Sequence, residues 1–210
     1  MDKAYKMYME YLLEVNSHTN LTAITDPDEI EIKHFKDSLT ILDYIKEGDR
    51  VLDIGAGAGF PGIPLKIEKD IDLTLIDSVN KKVKFMNEVI DKLGLTNARA
   101  IHTRAEDFAN EERETYDVVV SRAVANMSTL SEYCLPMLKV GGTFIALKGP
   151  RAEEELENAQ NAIDILGGKV IKTDSFDLDG NERVNIVVEK IRRTKKKYPR
   201  GKNLPKRSPL

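Results

Sequence analysis

Val51-Leu52-Asp53-Ile54-Gly55-Ala56-Gly57-Ala58-Gly59-Phe60-Pro61-Gly62 passes from a short apolar run through alternating glycines into the start of an amphipathic stretch. Glycine adopts φ > 0 without steric cost and lets a ligand approach the backbone closely, and a helix that follows offers free N–H groups in its first turn. The segment therefore predicts a strand, a ligand-contacting turn and a helix in succession. Gly57-x-Gly59-x-x-Gly62 also fits the dinucleotide fingerprint, with Asp77 eighteen residues past Gly59, close to the ribose-binding spacing. On this motif alone an NAD-dependent oxidoreductase remains an alternative.

Downstream, short β-rich runs at 50–54, 73–77, 98–103, 116–121 and 143–148 alternate with helical patterns near 62–69, 79–93, 129–138 and 152–166. Such alternation implies a parallel sheet covered by helices on both faces. Two further strand-like runs, 169–175 and 183–190, are joined by Asp177-Leu178-Asp179-Gly180-Asn181, and Asp-Gly between such runs signals a hairpin. The reading is an α/β, doubly wound, Rossmann-like sheet of seven strands with a terminal antiparallel hairpin, unlike the all-parallel dinucleotide-binding sheets. Upstream, Tyr5, Tyr8, Met9, Leu12 and Leu13, then Ile32, Phe35, Leu39 and Leu42, recur at helical spacing on either side of Asp26-Pro27. Three regions result: an N-terminal helical extension (1–47), the sheet domain (48–190) and a basic C-terminal tail (191–210).

A chain of 210 residues, 41% hydrophobic and 32% charged, can bury one full-sized core. No apolar run approaches the roughly 20 residues of a bilayer span, and Met1-Asp2-Lys3 lacks the layout of a signal peptide, so a cytoplasmic protein with no membrane partner is expected. Cys134 is the single cysteine, and His18, His34 and His102 show no ligand spacing. A disulfide scaffold and a metal site are both disfavoured. The net charge of −3 conceals an asymmetry: residues 190–210 hold ten Lys or Arg and no acid, whereas the other 189 hold 22 basic and 35 acidic side chains. The terminal block, at +10 against −13, points to a phosphate-rich partner.

Three features favour S-adenosylmethionine over a dinucleotide at the glycine turn. Asp53 lies two residues before Gly55, where a carboxylate can hold the ammonium of a ligand that has no pyrophosphate. Asp77 ends the second strand, where it can accept both ribose hydroxyls. The closing hairpin is the third. Thr103-Arg104-Ala105-Glu106-Asp107 follows the third strand, at the edge where open α/β sheets bind ligands. There the Ala105 backbone and the Glu106 or Asp107 side chain can meet an adenine amino group, with a plain helix cap as the alternative.

Ser121-Arg122 leaves the fourth strand beside the expected methyl donor. The Asn/Asp-Pro-Pro-aromatic loop common in exocyclic amino methylation is absent, and Cys134, the nucleophile that pyrimidine C5 chemistry would need, lies in an apolar helical pattern that marks it as core. An acceptor with an exposed lone pair, such as guanine N7, needs alignment and no general base, and alignment is worth up to roughly 7–11 kcal/mol. Arg122 suits that task through a single donation to guanine O6 or to a phosphate, which leaves N7 free; an ion pair with Glu106 or Asp77 is the alternative. Lys148, at the end of the fifth strand, can reach a phosphate across the same rim or stand exposed without a role.

The chain resembles the glucose-inhibited division protein B family, bacterial enzymes that make 7-methylguanosine in small-subunit ribosomal RNA. The likeness runs through 20–24, His34 with Asp37-Ser38-Leu39, 53–65, Ile76-Asp77-Ser78 with Lys81-Lys82, Arg104-Ala105-Glu106, 121–124, Lys148-Gly149 and Tyr198-Pro199-Arg200. It implies a class I methyltransferase sheet, S-adenosyl-L-methionine as cofactor and a guanine in the 530 loop of 16S RNA as target. It also implies donor contacts from Gly55, Phe60, Asp77, Ser78, Ala105, Glu106 and Arg122, beside Asp53, Gly57 and Gly59 of the turn. Arg122 and Lys148 are the expected catalytic residues. Lys195, Lys196, Lys197, Arg200 and Lys202 of the tail are expected to bind phosphates, with Tyr198 stacking on a base, a merely solubilising tail being the alternative. A monomer acting on 16S RNA or the small subunit follows, against a non-catalytic RNA-binding assembly factor.

Overall fold

The computed structural model describes residues 2–210. Helix α1 (Lys3–Thr19) starts where the Asp2 carboxylate accepts the Ala4 N–H, buries Tyr5, Tyr8, Leu12 and Asn16 at spacings of three and four, and stops at Asn20 in the left-handed region. Asp26 accepts the N–H groups of Asp28 and Glu29, and Pro27 takes the first position of α2 (Pro27–Ile30). The predicted break is thus a helix start. The helix continues as a π-helical turn, Glu31–Lys36, before α3 (Asp37–Leu39), with the Asp37 N–H donating to the Ile32 carbonyl. A single π-type turn inside a helix recurs at functional sites because it rotates the side chains that follow.

Strand β1 (Arg50–Ile54), buried along its last four residues, has neighbours on both sides: β2 (Asp72–Asp77) and β4 (Tyr116–Arg122). With β3 (Ala98–His102), β5 (Leu138–Lys148), β6 (Gly168–Asp177) and β7 (Glu182–Lys190) they form one sheet of order β3-β2-β1-β4-β5-β7-β6. Strand β7 runs antiparallel to both β5 and β6, and the remaining pairs are parallel. The chain winds outward from β1 to β3, returns, and winds the other way from β4. Ligands of such sheets bind where the winding reverses, at the carboxyl ends of β1 and β4. Ser121 joins the two strands there by donating to the Ile54 carbonyl at 2.8 Å.

Helices α4 (Gly62–Glu68), α5 (Asn80–Leu93), α6 (Ala105–Phe108), α7 (Met127–Cys134) and α8 (Ala152–Leu166) make the crossovers. One face of the sheet packs with α1, α4 and α5, sharing Tyr8, Phe35, Phe60 and Phe85; the other packs with α7 and α8 around Leu130, Cys134 and Ile163. Cys134 is fully buried, as its apolar setting predicts. The helix expected over 129–138 ends earlier because Pro136 admits only a 3₁₀ turn, Leu135–Met137, before β5 begins. At the hairpin, Asp179 (φ 54°) and Gly180 (φ 75°) both occupy the left-handed region, the requirement of a type I′ turn that Asp-Gly meets.

The tail is not a free arm. Thr194 and Tyr198 are buried, the latter 6% exposed. Arg113 donates to the carbonyls of Thr194, Lys195 and Tyr198 at 2.6–3.0 Å. Arg200 grips the fully buried Glu132 of α7 through Nε and Nη2, at 2.8 and 2.6 Å, and through its backbone N–H at 2.7 Å. The segment ends in α9 (Leu204–Arg207), where Thr129 donates to the Pro205 carbonyl. These contacts correct two expectations: Tyr198 presents no ring face for a base because it is buried against α7 and its surroundings, and the half-buried Arg200 guanidinium is spent on the Glu132 carboxylate. Lys195, Lys196, Lys197 and Lys202 remain exposed.

Candidate functional site

Two cavities open at the carboxyl edge of the sheet and share residues 123–125 as a rim. Ala123 sits there at φ 56°, a conformation costing roughly 1–2 kcal/mol in a residue with a Cβ, so the surrounding packing holds the rim against strain.

The smaller cavity, about 460 Å³, is lined by Gly55, Asp77, Ser78, Ala105 and Glu106 of the predicted set, and also by Lys82, Tyr133, Asn203 and Lys206. Asp77 accepts the Gly57 N–H at 3.0 Å on one oxygen and the Val79 N–H at 2.8 Å on the other, tying the glycine turn to the end of β2. Each oxygen keeps a lone pair for a further donor. The turn is open at Gly57, where a methyl group would meet nothing nearer than 3.9 Å. Ala105 begins α6, so its N–H belongs to the helix groups that lack an intrahelical acceptor. Glu106 is buried, and one of its oxygens accepts the Asn203 N–H at 3.2 Å.

Asp53, Gly57, Gly59 and Phe60 line neither cavity and stand behind these walls. Asp53 is fully buried; one oxygen accepts the Gly62 N–H at 2.8 Å and the other has no partner. Burial pushes this carboxyl up to about 7, against the opposing pull of the Gly62 N–H and of Arg122. An unpaired buried carboxylate oxygen at the winding reversal is an acceptor in want of a cation or an N–H. Phe60 stacks on His34 at 4.4 Å and on Tyr8 at 5.2 Å, which fixes the glycine turn to the N-terminal helices.

The larger cavity, about 1030 Å³, holds His34, Asp37, Arg122, Lys148, Arg151 and Arg183 in its walls. Arg122 pairs with neither Glu106 nor Asp77. Its Nη1 donates to Asp37 and to the Lys33 carbonyl, both at 2.9 Å, and its Nη2 to His34 Nδ1 at 3.0 Å, with the guanidinium 5.3 Å above the Phe60 ring. An arginine has only donors, so Nδ1 accepts and Nε2–H faces Thr22 Oγ1 at 2.9 Å. Burial and the neighbouring guanidinium hold His34 down to about 3, leaving a neutral ring. The second Asp37 oxygen takes the Arg183 Nε–H at 3.0 Å. The two groups nearest Arg122 that carry basic lone pairs, His34 and Asp37, are therefore both engaged by guanidinium N–H groups. Lys148 is buried, not exposed at a strand end: it donates to Glu155 at 2.7 Å and to the Ala125 carbonyl at 2.6 Å.

Sequence reading missed Asp37 and Arg183 as partners, Tyr133 as a wall and the tail residues Asn203 and Lys206. Asp37 stood out only within the family likeness, without a role in the site, and the others carry no local signal. Among the described residues no cluster of three potential metal ligands occurs, and no helix is long and apolar enough to cross a membrane.

The sheet order, the antiparallel β7 and a glycine turn between two acidic strand ends define an α/β enzyme of the S-adenosylmethionine-dependent class I methyltransferases. Solved structures agree on the fold. A SAM-dependent methyltransferase from Aquifex aeolicus superposes with TM-score 0.60 at 20% identity, covering 81% of this chain and 97% of that one. M. jannaschii TYW2 in complex with AdoMet gives 0.62 at 18%, covering 75% and 76%. Residues 1–185 match the family described as GidB, rRNA small subunit methyltransferase G, and the chain belongs to that family. Relatives named ribosomal RNA small subunit methyltransferase G are 49% identical in Lactobacillus acidophilus, over 98% of this chain and 90% of that protein, and 50% identical in Desulforamulus reducens, over 99% and 89%.

Proposed function

We propose that this methyltransferase modifies N7 of a guanine in the 530 loop of 16S ribosomal RNA, with the donor in the smaller cavity and the base entering the larger one across the rim at 123–125. The observation that carries the reading is the engagement of His34 and Asp37 around Arg122, which favours a reaction that needs aim and no proton acceptor. Guanine N7 is such an acceptor, since its lone pair is exposed and carries no hydrogen.

The residues present fit S-adenosylmethionine. Asp77 offers two acceptor oxygens to a ribose diol, Ser78 and Ala105 flank the adenine side, Glu106 keeps one oxygen for the adenine amino group, and the Asp53 carboxylate, buried behind the cavity wall, attracts the ammonium through space and not by contact. Gly55, Gly57 and Gly59 shape the turn, and Phe60 holds it against His34. When bound, S-adenosylmethionine supplies an electrophilic methyl group on a sulfonium. Arg122 keeps two N–H groups beyond those spent on Asp37, Lys33 and His34, and one donation to guanine O6 orients the base while N7 stays free. Lys148, neutralised in part by Glu155, adds positive potential at the same wall. Residues 1–47 supply His34 and Asp37 to the acceptor side, 48–190 supply the donor side together with Arg122, Lys148 and Arg183 of the acceptor wall, and the exposed Lys195, Lys196, Lys197 and Lys202 attract the RNA backbone. The enzyme acts as a monomer in the cytoplasm.

Incubation with methyl-labelled donor and either naked 16S RNA or the small subunit is expected to place label on a guanine N7, read by borohydride and aniline cleavage at that residue. Label on an exocyclic amine or a pyrimidine overturns the assignment. Calorimetry with S-adenosylhomocysteine and NAD separates the oxidoreductase alternative, and donor binding without transfer to either RNA form would favour an assembly factor.

The position of Asp53 implies a pH dependence. An ammonium favours the ionised carboxylate, so donor affinity is expected to fall as pH drops below 7, by up to about tenfold per pH unit. Calorimetry in buffers of different ionisation enthalpy should register proton release on binding at pH 6–7. Without donor the sign is opposite: the folded chain holds a proton that the unfolded chain has lost, so stability declines as pH rises from the ordinary carboxylate range to about 7. An affinity flat from pH 6 to 8 would remove Asp53 from the donor site.

A further inference from the structure

The C-terminal segment lies beyond the 1–185 family match, yet it walls both cavities: Asn203 and Lys206 line the smaller one, and Pro209 and Leu210 the larger. It reverses direction at Lys202 and Asn203, both in the left-handed region (φ 57° and 58°). That reversal aims the Asn203 N–H at the Glu106 carboxylate. The neighbouring anchors are side chains from the body, namely Glu132 on Arg200 and Thr129 on the Pro205 carbonyl.

We infer that residues 198–210 form a positioning strap for the donor, in which Asn203 holds one Glu106 oxygen so that the other faces the adenine, and the docked segment closes that side of the cavity. The inference rests on the reading that the smaller cavity takes S-adenosylmethionine. Glu106 is buried and would otherwise carry an uncompensated oxygen. A carboxylate fixed at one oxygen presents the other in a single orientation, which discriminates an amino group from a carbonyl at the same place. The strap is held by contacts spread along one edge, so it can release without opening the sheet. A ligand that binds only the docked form then stabilises docking, and strap opening falls as the site fills.

Limited trypsinolysis tests this in the intact chain, because Lys202 and Lys206 are exposed cleavage points within the strap. With S-adenosylhomocysteine at ten times its calorimetric Kd, cleavage at both is expected to slow by about tenfold, and Asp77→Ala at the same concentration should show protection of about twofold or less. Glu132→Gln, which keeps an acceptor but removes the charge facing Arg200, is expected to quicken strap cleavage and weaken S-adenosylhomocysteine binding by about fivefold. If the product binds the wild type tightly and strap cleavage does not change, the strap is mere packing and the inference fails while the donor site stands. If the product does not bind, or binds Asp77→Ala equally well, the donor reading fails and takes the inference with it. Should Glu132→Gln not fold, protection of the wild type decides alone.

Discussion

Replacing Arg122 by alanine is expected to lower methyl transfer to RNA by about 10²-fold or more while changing S-adenosylhomocysteine affinity by less than about threefold. The guanidinium belongs to the larger cavity, where it is gripped by Asp37, His34 and the Lys33 carbonyl, so its removal takes away an oriented donor and the support of the acceptor wall together. Lysine at this position keeps the charge but cannot span those three acceptors, and it should recover little of the rate. Asp77→Ala is expected to behave in reverse, weakening the donor product by about 10- to 100-fold, because two hydroxyl acceptors and the tether to Gly57 are lost at once. Single-turnover rates at saturating donor, compared with calorimetric affinities, separate the two. Equal losses of rate and affinity in both variants would mean that the cavities do not divide the work as assigned.

Arg200→Met is the second large effect, and it concerns stability. Glu132 has no exposed surface, and its carboxylate depends on the Arg200 guanidinium and backbone N–H. Removing one partner of a buried pair leaves a desolvated charge, so a loss of about 3–5 kcal/mol in urea unfolding is expected. The double variant Glu132→Leu/Arg200→Met removes both charges and should recover most of that loss. A single variant within about 1 kcal/mol of wild type would show that water reaches Glu132 when the arginine is gone.

The strands and glycine turn were legible because their signals are local: apolar period, glycine spacing and the Asp179-Gly180 pair all act within a few residues. The donor side was readable for the same reason, since Asp53 lies one residue before the end of β1, Asp77 closes β2 and Glu106 comes four residues after β3. The acceptor side was readable only at Arg122 and Lys148, not in what holds them. Asp37 and Arg183 lie 146 residues apart, Arg200 and Glu132 68 apart, and no periodicity in either segment foretells the pairing. The run 191–210 misled in a specific way: charge counting made all of it a phosphate-binding tail, whereas one buried carboxylate and three backbone carbonyls facing Arg113 draw part of it onto the body. Helix α6 was too short to register as a period.

The docking of the basic run beside the cavities bears on how the enzyme meets its substrate. The run leaves β7 at the amino-terminal edge of the sheet, where Arg113 holds Thr194, Lys195 and Tyr198, and reaches the cavities only with Asn203, Lys206, Pro209 and Leu210, so its exposed lysines spread along one flank of an otherwise acidic protein. Near a polyanion such a body is drawn in along that flank, and added electrolyte slows capture more than it alters events after contact.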